Sequence, residues 1–148
     1  MNEAQHHLMA LLAQDYPSFH AAVDSVEDFM ATLPQGENDP QHTLTPGLYS
    51  RRLFMPALSV VVSKIHRREH QFVVLAGSAT VINESGASLI RAGYHGVTPA
   101  GTRRVLFIHT DSEWMTFHPT DQTTLEDIEA DLILPRQALP EPLTTLSS

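Results

Sequence analysis

The sequence predicts a mainly β protein, in which a jelly-roll antiparallel β-barrel follows N-terminal helices and precedes a short C-terminal helix. Two observations support this fold class. Residues 47–119 are rich in β-branched and aromatic residues and carry turn signals at short intervals, which is typical of sandwiches and barrels. The flanking regions instead repeat apolar residues at helical spacing. A chain of 148 residues is long enough for one such domain to bury a core.

The first region, residues 1–46, is predicted to be a helical arm followed by a linker. Leu8, Leu11 and Leu12 lie at i, i+3 and i+4 and predict a helix that ends before Pro17. A second apolar repeat predicts another helix over about 18–33. Residues 34–46 are polar and contain three prolines and one glycine, which is typical of a linker or surface loop.

Short strands should fill the central region. We predict them near residues 48–55, 59–65, 71–76, 78–83, 87–90, 96–98, 103–108 and 113–118, with a hairpin turn at 83–86. The third region, residues 120–148, returns to a helical pattern over about 123–133, which Pro135 ends. The proline-containing tail that follows has no periodicity, and we expect it to be extended.

Composition excludes several classes of protein. The formal net charge is −8, and nine Lys and Arg against 17 acidic residues argue against a general nucleic-acid binder. The chain has no cysteine, so disulfides and thiolate metal sites are excluded. No apolar run approaches the roughly 20 residues that span a bilayer. The N-terminal residues lack the basic segment of a secretory signal, so we expect no membrane insertion and no export by a signal peptide.

Two segments carry a recognisable spacing. The first runs from Lys64 through His66 and His70 to Gly77, and the second runs from Gly93 through Pro99 and Gly101 to Arg104. In this spacing the chain resembles the cupin superfamily, whose first motif ends in a glycine and whose second contains Gly and Pro-x-Gly. Gly77, Gly93, Pro99 and Gly101 match those positions. The resemblance implies a cupin-like barrel, in which the glycines and the proline make sharp turns between strands.

The metal-binding positions of the cupin motifs match less well. His66 stands at the second histidine of the first motif, Lys64 at the first, and His70 at the acid, with Glu69 beside it. Arg104 stands where the second motif has a histidine. Charged Lys and Arg are not useful metal ligands.

Two interpretations of these positions stay open. In one, His66, His70 and Glu69 bind a divalent transition metal (Fe, Mn, Ni or Zn), as in a two-histidine, one-carboxylate triad. In the other there is no metal, and Arg104 and Lys64 hydrogen-bond to the histidines or hold an anion. Three other histidines, His95, His109 and His118, are spread over different strands and are interpreted as satisfied polar groups.

The phrases GLYSRRLFMP, SKIHRREHQFVV, PAGTRRVLF and TFHPT are similar to uncharacterised bacteriophage and prophage proteins with a cupin-like domain. This resemblance implies a structural or interaction protein of a phage, found in the host cytoplasm or the virion, without catalysis. The alternative is a metal-dependent cupin enzyme, of dioxygenase or isomerase type, that acts on a small molecule. A sugar-binding or small-molecule-binding cupin without metal is a third reading.

Assembly is a further expectation. The apolar stripes of the N-terminal and C-terminal helices, and the tail leucines Leu139, Leu143 and Leu146, are a large apolar surface for one small barrel to cover. We therefore predict a homo-oligomer or a complex with other phage structural proteins.

Overall fold

Two long antiparallel strands organise the fold. The structure is a computed structural model and describes residues 1–36 and 39–136, so the tail leucines and most of the predicted tail lie outside the described residues. The elements are α1 (Glu3–Leu12), α2 (Phe19–Met30), β1 (Gln41–Thr45), β2 (Leu48–Met55), β3 (Val60–Val62), β4 (Ile65–His66), β5 (His70–Asn83), β6 (Gly86–Arg91), β7 (His95–Thr98), β8 (Val105–Pro119), α3 (Leu125–Leu132) and β9 (Ile133–Leu134).

Strands β5 and β8 pair along nearly their whole length, and the shorter strands flank one half or the other. The main sheet has the order β1-β2-β8-β5-β6, with β3 added to β8 and β7 to β5. Its core combines Phe72 and Trp114 from one half of the long strands with Val81 and Ile108 from the other half. The two halves therefore face each other across the core, as in a jelly roll.

The predicted fold class is confirmed, but the sheet does not close into a barrel. Among the described residues, the edge strands β1 and β6 do not pair with each other. The fold is thus an open, jelly-roll-like sheet that bends over its core. A second, two-stranded sheet joins β4 to β9 and ties the C-terminal helix to the segment that contains His66.

Gly77 allows the single strand β5 to run through both halves of the jelly roll. The β5–β8 register shifts three times between Val74 and Ala79, and Gly77 lies within this irregularity with φ +86°. A Cβ at this position would overlap the Ser112 side chain and the Asp111 carbonyl of β8. Only glycine combines this backbone conformation with so close an approach, which explains physically why the motif has a glycine here.

The N-terminal helices pack on the outer face of the protein's own sheet. Leu8 of α1 and Val23 and Val26 of α2 form a cluster with Val105 and Phe107 of β8, and all five are buried. The helices begin at side-chain caps, since Asn2 and Ser18 accept hydrogen bonds from backbone N–H groups of the first turns. Much of the apolar surface from which we expected an interface is therefore covered within one chain.

Strand positions were largely predicted, with three corrections. Helices fall within the predicted 2–33 and 123–133, and 48–55 is a strand. The stretches 71–76 and 78–83 are one strand, β5, and 103–108 and 113–118 belong to one strand, β8, because the chain continues through bulges where turns were expected. The predicted linker contains β1, which pairs with β2 in a hairpin around Gly47 (φ +81°). No helix in the described part of the chain combines the length and apolar character that crossing a bilayer requires.

Candidate metal centre at the polar end of the jelly roll

Pairing between the long strands brings two distant histidines together. His70 begins β5 and His118 lies near the end of β8, and these ends are neighbours because Gln71 is opposite Phe117. Strand alternation sends His70 and His118 to the inner face, and both are buried. His66 reaches the same place from β4, which β9 holds in position.

These three residues form what we call the histidine cluster (His66, His70 and His118). The ring centroids of His66 and His70 are 4.3 Å apart, those of His70 and His118 4.4 Å, and those of His66 and His118 5.0 Å. One nitrogen of each ring lies within 4.8 Å of the others. Three imidazoles from three strands therefore converge on one point at the polar end of the interior.

Burial keeps the histidine cluster uncharged. Burial, and then the nearby charges of His70 and Arg51, together lower the pKa of His66 to about 3. Burial followed by the charges of His70 and His66 lowers the pKa of His118 to about 3. For His70, burial and then the positive charge of Arg104 lower the pKa to about 4. At neutral pH all three imidazoles are neutral and offer a lone pair.

Polar and aromatic groups surround the cluster. Thr116 Oγ1 lies 2.8 Å from His118 Nε2, in hydrogen-bond contact. The Tyr49 ring stacks on His118 at 5.7 Å, and the Tyr49 hydroxyl lies 2.6 Å from His42 Nδ1. His70 Nδ1 is buried and has no hydrogen-bond partner among the described residues. A cavity of about 250 Å³ adjoins His66 and His118 and runs beneath α3.

Two arginines flank the cluster on its inner side. Arg51 lies on the inner face of β2 beside the 250 Å³ cavity, and its Nε is buried without a hydrogen-bond partner in residues 1–36 and 39–136. The Arg104 guanidinium lies 4.7 Å from the centroid of the Phe72 ring, two residues along β5 from His70. Burial lowers the pKa of Arg104 to about 10, so this side chain remains a cation at neutral pH.

The structure brings together some of the residues predicted from sequence and separates others. His66 and His70 are neighbours, and Arg104 faces the same interior. Glu69 is exposed and lies outside the histidine cluster. Lys64 is also exposed and forms an ion pair with Glu129, at 2.8 Å.

His118 was interpreted as a satisfied polar group, and it does contact Thr116 Oγ1. It also lies beside His66 and His70, which come from β4 and β5 and which no local spacing reveals. His109 does have the polar partner expected of it, Thr80 Oγ1 at 2.6 Å.

Comparison with known proteins supports the fold. A protein with a double-stranded β-helix domain from Klebsiella pneumoniae superposes with a TM-score of 0.52 at 12% identity, over 62% of this chain and 84% of that chain. This chain has the double-stranded β-helix fold. The plu4264 protein from Photorhabdus luminescens gives a TM-score of 0.50 at 14% identity, over 64% of this chain and 86% of that chain.

A cupin-2 domain containing protein from Shewanella frigidimarina gives a TM-score of 0.48 at 14% identity, over 64% of this chain and 91% of that chain. The sequence matches no family model and no curated protein. At identities this low, the superpositions with TM-scores of 0.50 and 0.52 show a common fold and nothing about activity.

Proposed function

We propose that this protein binds one divalent transition-metal ion through the histidine cluster and acts on a small molecule. The observation that carries the proposal is the convergence of three uncharged, largely buried imidazoles from separate strands. It follows the metal-dependent alternative predicted from sequence, with His118 in place of Glu69.

The donor set fits a transition metal. Neutral imidazole nitrogens suit Zn, Ni, Fe and Cu, whereas Mg and Ca prefer oxygen ligands. Metal–nitrogen bonds of about 2.1 Å place tetrahedral ligand nitrogens roughly 3.4 Å apart, so the three nitrogens must move closer from their present separation of up to 4.8 Å. Three protein ligands that leave a position for substrate or water are typical of catalytic sites, whereas structural zinc sites are closed by four.

The surrounding residues define what the centre can do. A bound ion would supply a Lewis acid beside the cavity. Arg51 and Arg104 carry positive charge toward the same interior, which disfavours a bare cation and favours a negatively charged molecule next to it. The aromatic rings of Tyr49, Phe72 and Trp114 are buried at this end of the jelly roll.

The phage hypothesis rested in part on the loss of metal ligands from the cupin motifs. His118 supplies a third imidazole from outside those motifs, so that part of its basis is weaker. A phage origin, a virion role and the associated partners stay predictions, since the fold alone is compatible with many functions. If the protein binds no metal, the non-catalytic role becomes the favoured hypothesis.

Equilibrium dialysis against zinc, nickel, manganese and iron(II), followed by elemental analysis, tests the proposal. We expect one ion per chain for at least one of these metals, because the ligands are neutral and close together. His66→Gln should abolish binding, and His95→Gln, which alters an exposed histidine on β7, should preserve it. Wild-type protein that retains no ion, or equal losses in the two variants, would contradict the proposal.

A further inference from the structure

Arg104 lies among buried polar atoms that have no hydrogen-bond partner in the described part of the chain. Arg104 Nε, Thr98 Oγ1, Trp114 Nε1 and His70 Nδ1 are all buried and make no hydrogen bond to any described residue. They share one region, since Thr98 is opposite His70 in the β5–β7 pair and the Arg104 guanidinium lies 5.6 Å from the Trp114 ring centroid. Buried polar groups are normally hydrogen-bonded, and leaving them unpaired destabilises the protein.

The preceding residue shows how this chain satisfies a buried arginine that has a structural role. Arg103 points to the opposite side, is 3% exposed, and forms ion pairs with Asp24 and Glu27 of α2. Arg104 has no carboxylate within 4.0 Å among the described residues. Arg104 is partly buried, and a cation held away from water without a counter-charge is unfavourable, so an anionic ligand would stabilise it.

The Arg104 side chain is also held in a fixed orientation. Its guanidinium stacks near Phe72 and Trp114, whose rings are themselves stacked at 5.2 Å. Stacking on aromatic faces leaves the edge of the guanidinium, with its N–H donors, available. That edge matches the two oxygens of a carboxylate, which an arginine binds with paired hydrogen bonds.

A cavity gives access to this arginine. It has a volume of about 350 Å³, and its lining includes Arg104, Thr98, Phe72, Tyr94 and Thr102. Small-molecule sites typically have roughly 300–1,000 Å³, so the cavity suits a small ligand. Phe72 offers that ligand an apolar contact next to the cation.

We propose that this cavity binds a small carboxylic acid in its anionic form, with the carboxylate on Arg104 and Thr98 and the apolar part against Phe72. One part of this proposal rests on the proposed function: that such acids are the substrate class of the adjacent metal centre. The binding of the acid itself depends only on the residues of this cavity.

Calorimetric titration of metal-free protein with benzoate and with benzamide tests the binding. The two probes have the same shape and differ in charge, so the guanidinium should favour benzoate by at least about tenfold in Kd. Equal affinities, or no binding of benzoate, would overturn the proposal whatever the result of metal dialysis. Benzoate binding in a protein that binds no metal would support this site while contradicting the metal centre.

Variants separate a ligand-binding role from a structural one. Arg104→Gln should weaken benzoate by about tenfold or more, and Arg52→Gln, which alters an exposed arginine on the outer face of β2, should leave it unchanged. Arg104→Gln should also tighten zinc binding, because it removes a positive charge near His70. An unfolded variant would lose both ligands, so opposite changes identify the charge as the cause. If Arg104→Gln binds benzoate as tightly as the wild-type protein does, the proposal is wrong.

Discussion

The histidine cluster shows how burial sets the protonation of side chains that would otherwise titrate near neutral pH. His70 and His118 are 5% and 3% exposed, and each also lies near positive charge or a second imidazole. Desolvation and like charge act in the same direction on a histidine, since both disfavour the imidazolium. The cluster is therefore neutral over the whole physiological range, as a metal site requires.

This depression of pKa should make the protein sensitive to mild acid. Below the ordinary histidine pKa of 6.5, the unfolded chain takes up protons that the folded protein accepts only at pKa values of about 3 or 4. The unfolded state then binds more protons, so the free energy of unfolding falls as the pH is lowered through this window and levels off below it. Urea unfolding midpoints of the metal-free protein should thus be lower at about pH 5 than at about pH 7.

His118→Gln provides the internal check on that pH effect. It removes one of the protons taken up on unfolding, so the difference in stability between the two pH values should shrink. His95→Gln, at an exposed position, should leave the difference intact. A wild-type midpoint that does not change between these pH values would contradict the account of the cluster.

At the level of elements, the passage of β5 through Gly77 determines the shape of the sheet. Gly77→Ala would place a methyl group 2.7 Å from the Ser112 Cα and strain a left-handed backbone. Gly47 has a similar φ of +81° but faces open space. We expect Gly47→Ala to cost about 1–2 kcal/mol of unfolding free energy and Gly77→Ala at least about 3 kcal/mol, measured by urea denaturation. Equal losses would show that the close approach to β8 has no energetic role.

The attachment of α2 to the sheet depends on an ion-pair network around Arg103. Asp24 and Glu27 bind the buried Arg103, and Arg136 contacts the same two carboxylates from the C-terminal side. Asp24→Asn removes a charged partner from a buried guanidinium, so we expect a loss of about 1.5–3 kcal/mol in unfolding free energy. Glu113→Gln breaks the more exposed ion pair with Arg52 and should change the free energy of unfolding by less than about 1 kcal/mol. A larger loss of unfolding free energy for Glu113→Gln than for Asp24→Asn in chemical denaturation would contradict this interpretation.

At the scale of the whole molecule, self-association is now supported by a different surface from the one that the sequence suggested. The helical stripes are buried on the protein's own sheet, but the outer face of β2, β8, β5 and β7 has no covering element among the described residues. This outer face carries the partly or largely exposed apolar side chains Leu48, Phe54, Val73, Leu75, Val97, Met115 and Phe117. An apolar sheet face of this kind suits pairing with a second copy.

Sedimentation tests the assembly. We expect wild-type protein at micromolar concentration to sediment as a dimer or larger species, and Phe54→Asp to shift it toward the monomer of 16.4 kDa. Leu89→Asp, at an exposed position on β6 away from the outer face, serves as the matched control and should leave the species unchanged. A wild-type monomer would refute the expectation directly.

The limits of prediction from the sequence follow from the range of the interactions. Strand positions and the motif residues Gly77, Gly93 and Pro99 are local patterns, and they led to the correct fold class. The position of His118 depends on β5–β8 pairing, and nothing within its own segment distinguishes it from other histidines on strands. Glu69 is adjacent to His70 in sequence, but strand alternation directs it away from the interior. Local spacing therefore identified two of the three imidazoles, and the third partner that it suggested, Glu69, lies outside the cluster.

Cobalt(II) absorption is the most direct test of the histidine cluster as a metal centre, because nitrogen-bound cobalt in a low-symmetry site has visible bands that report its ligands. The wild-type protein should take up cobalt with such a spectrum, Glu69→Gln should reproduce it, and His118→Gln should abolish or strongly change it. A spectrum that survives in His118→Gln and is lost in Glu69→Gln would show that the metal is bound elsewhere and would contradict the account.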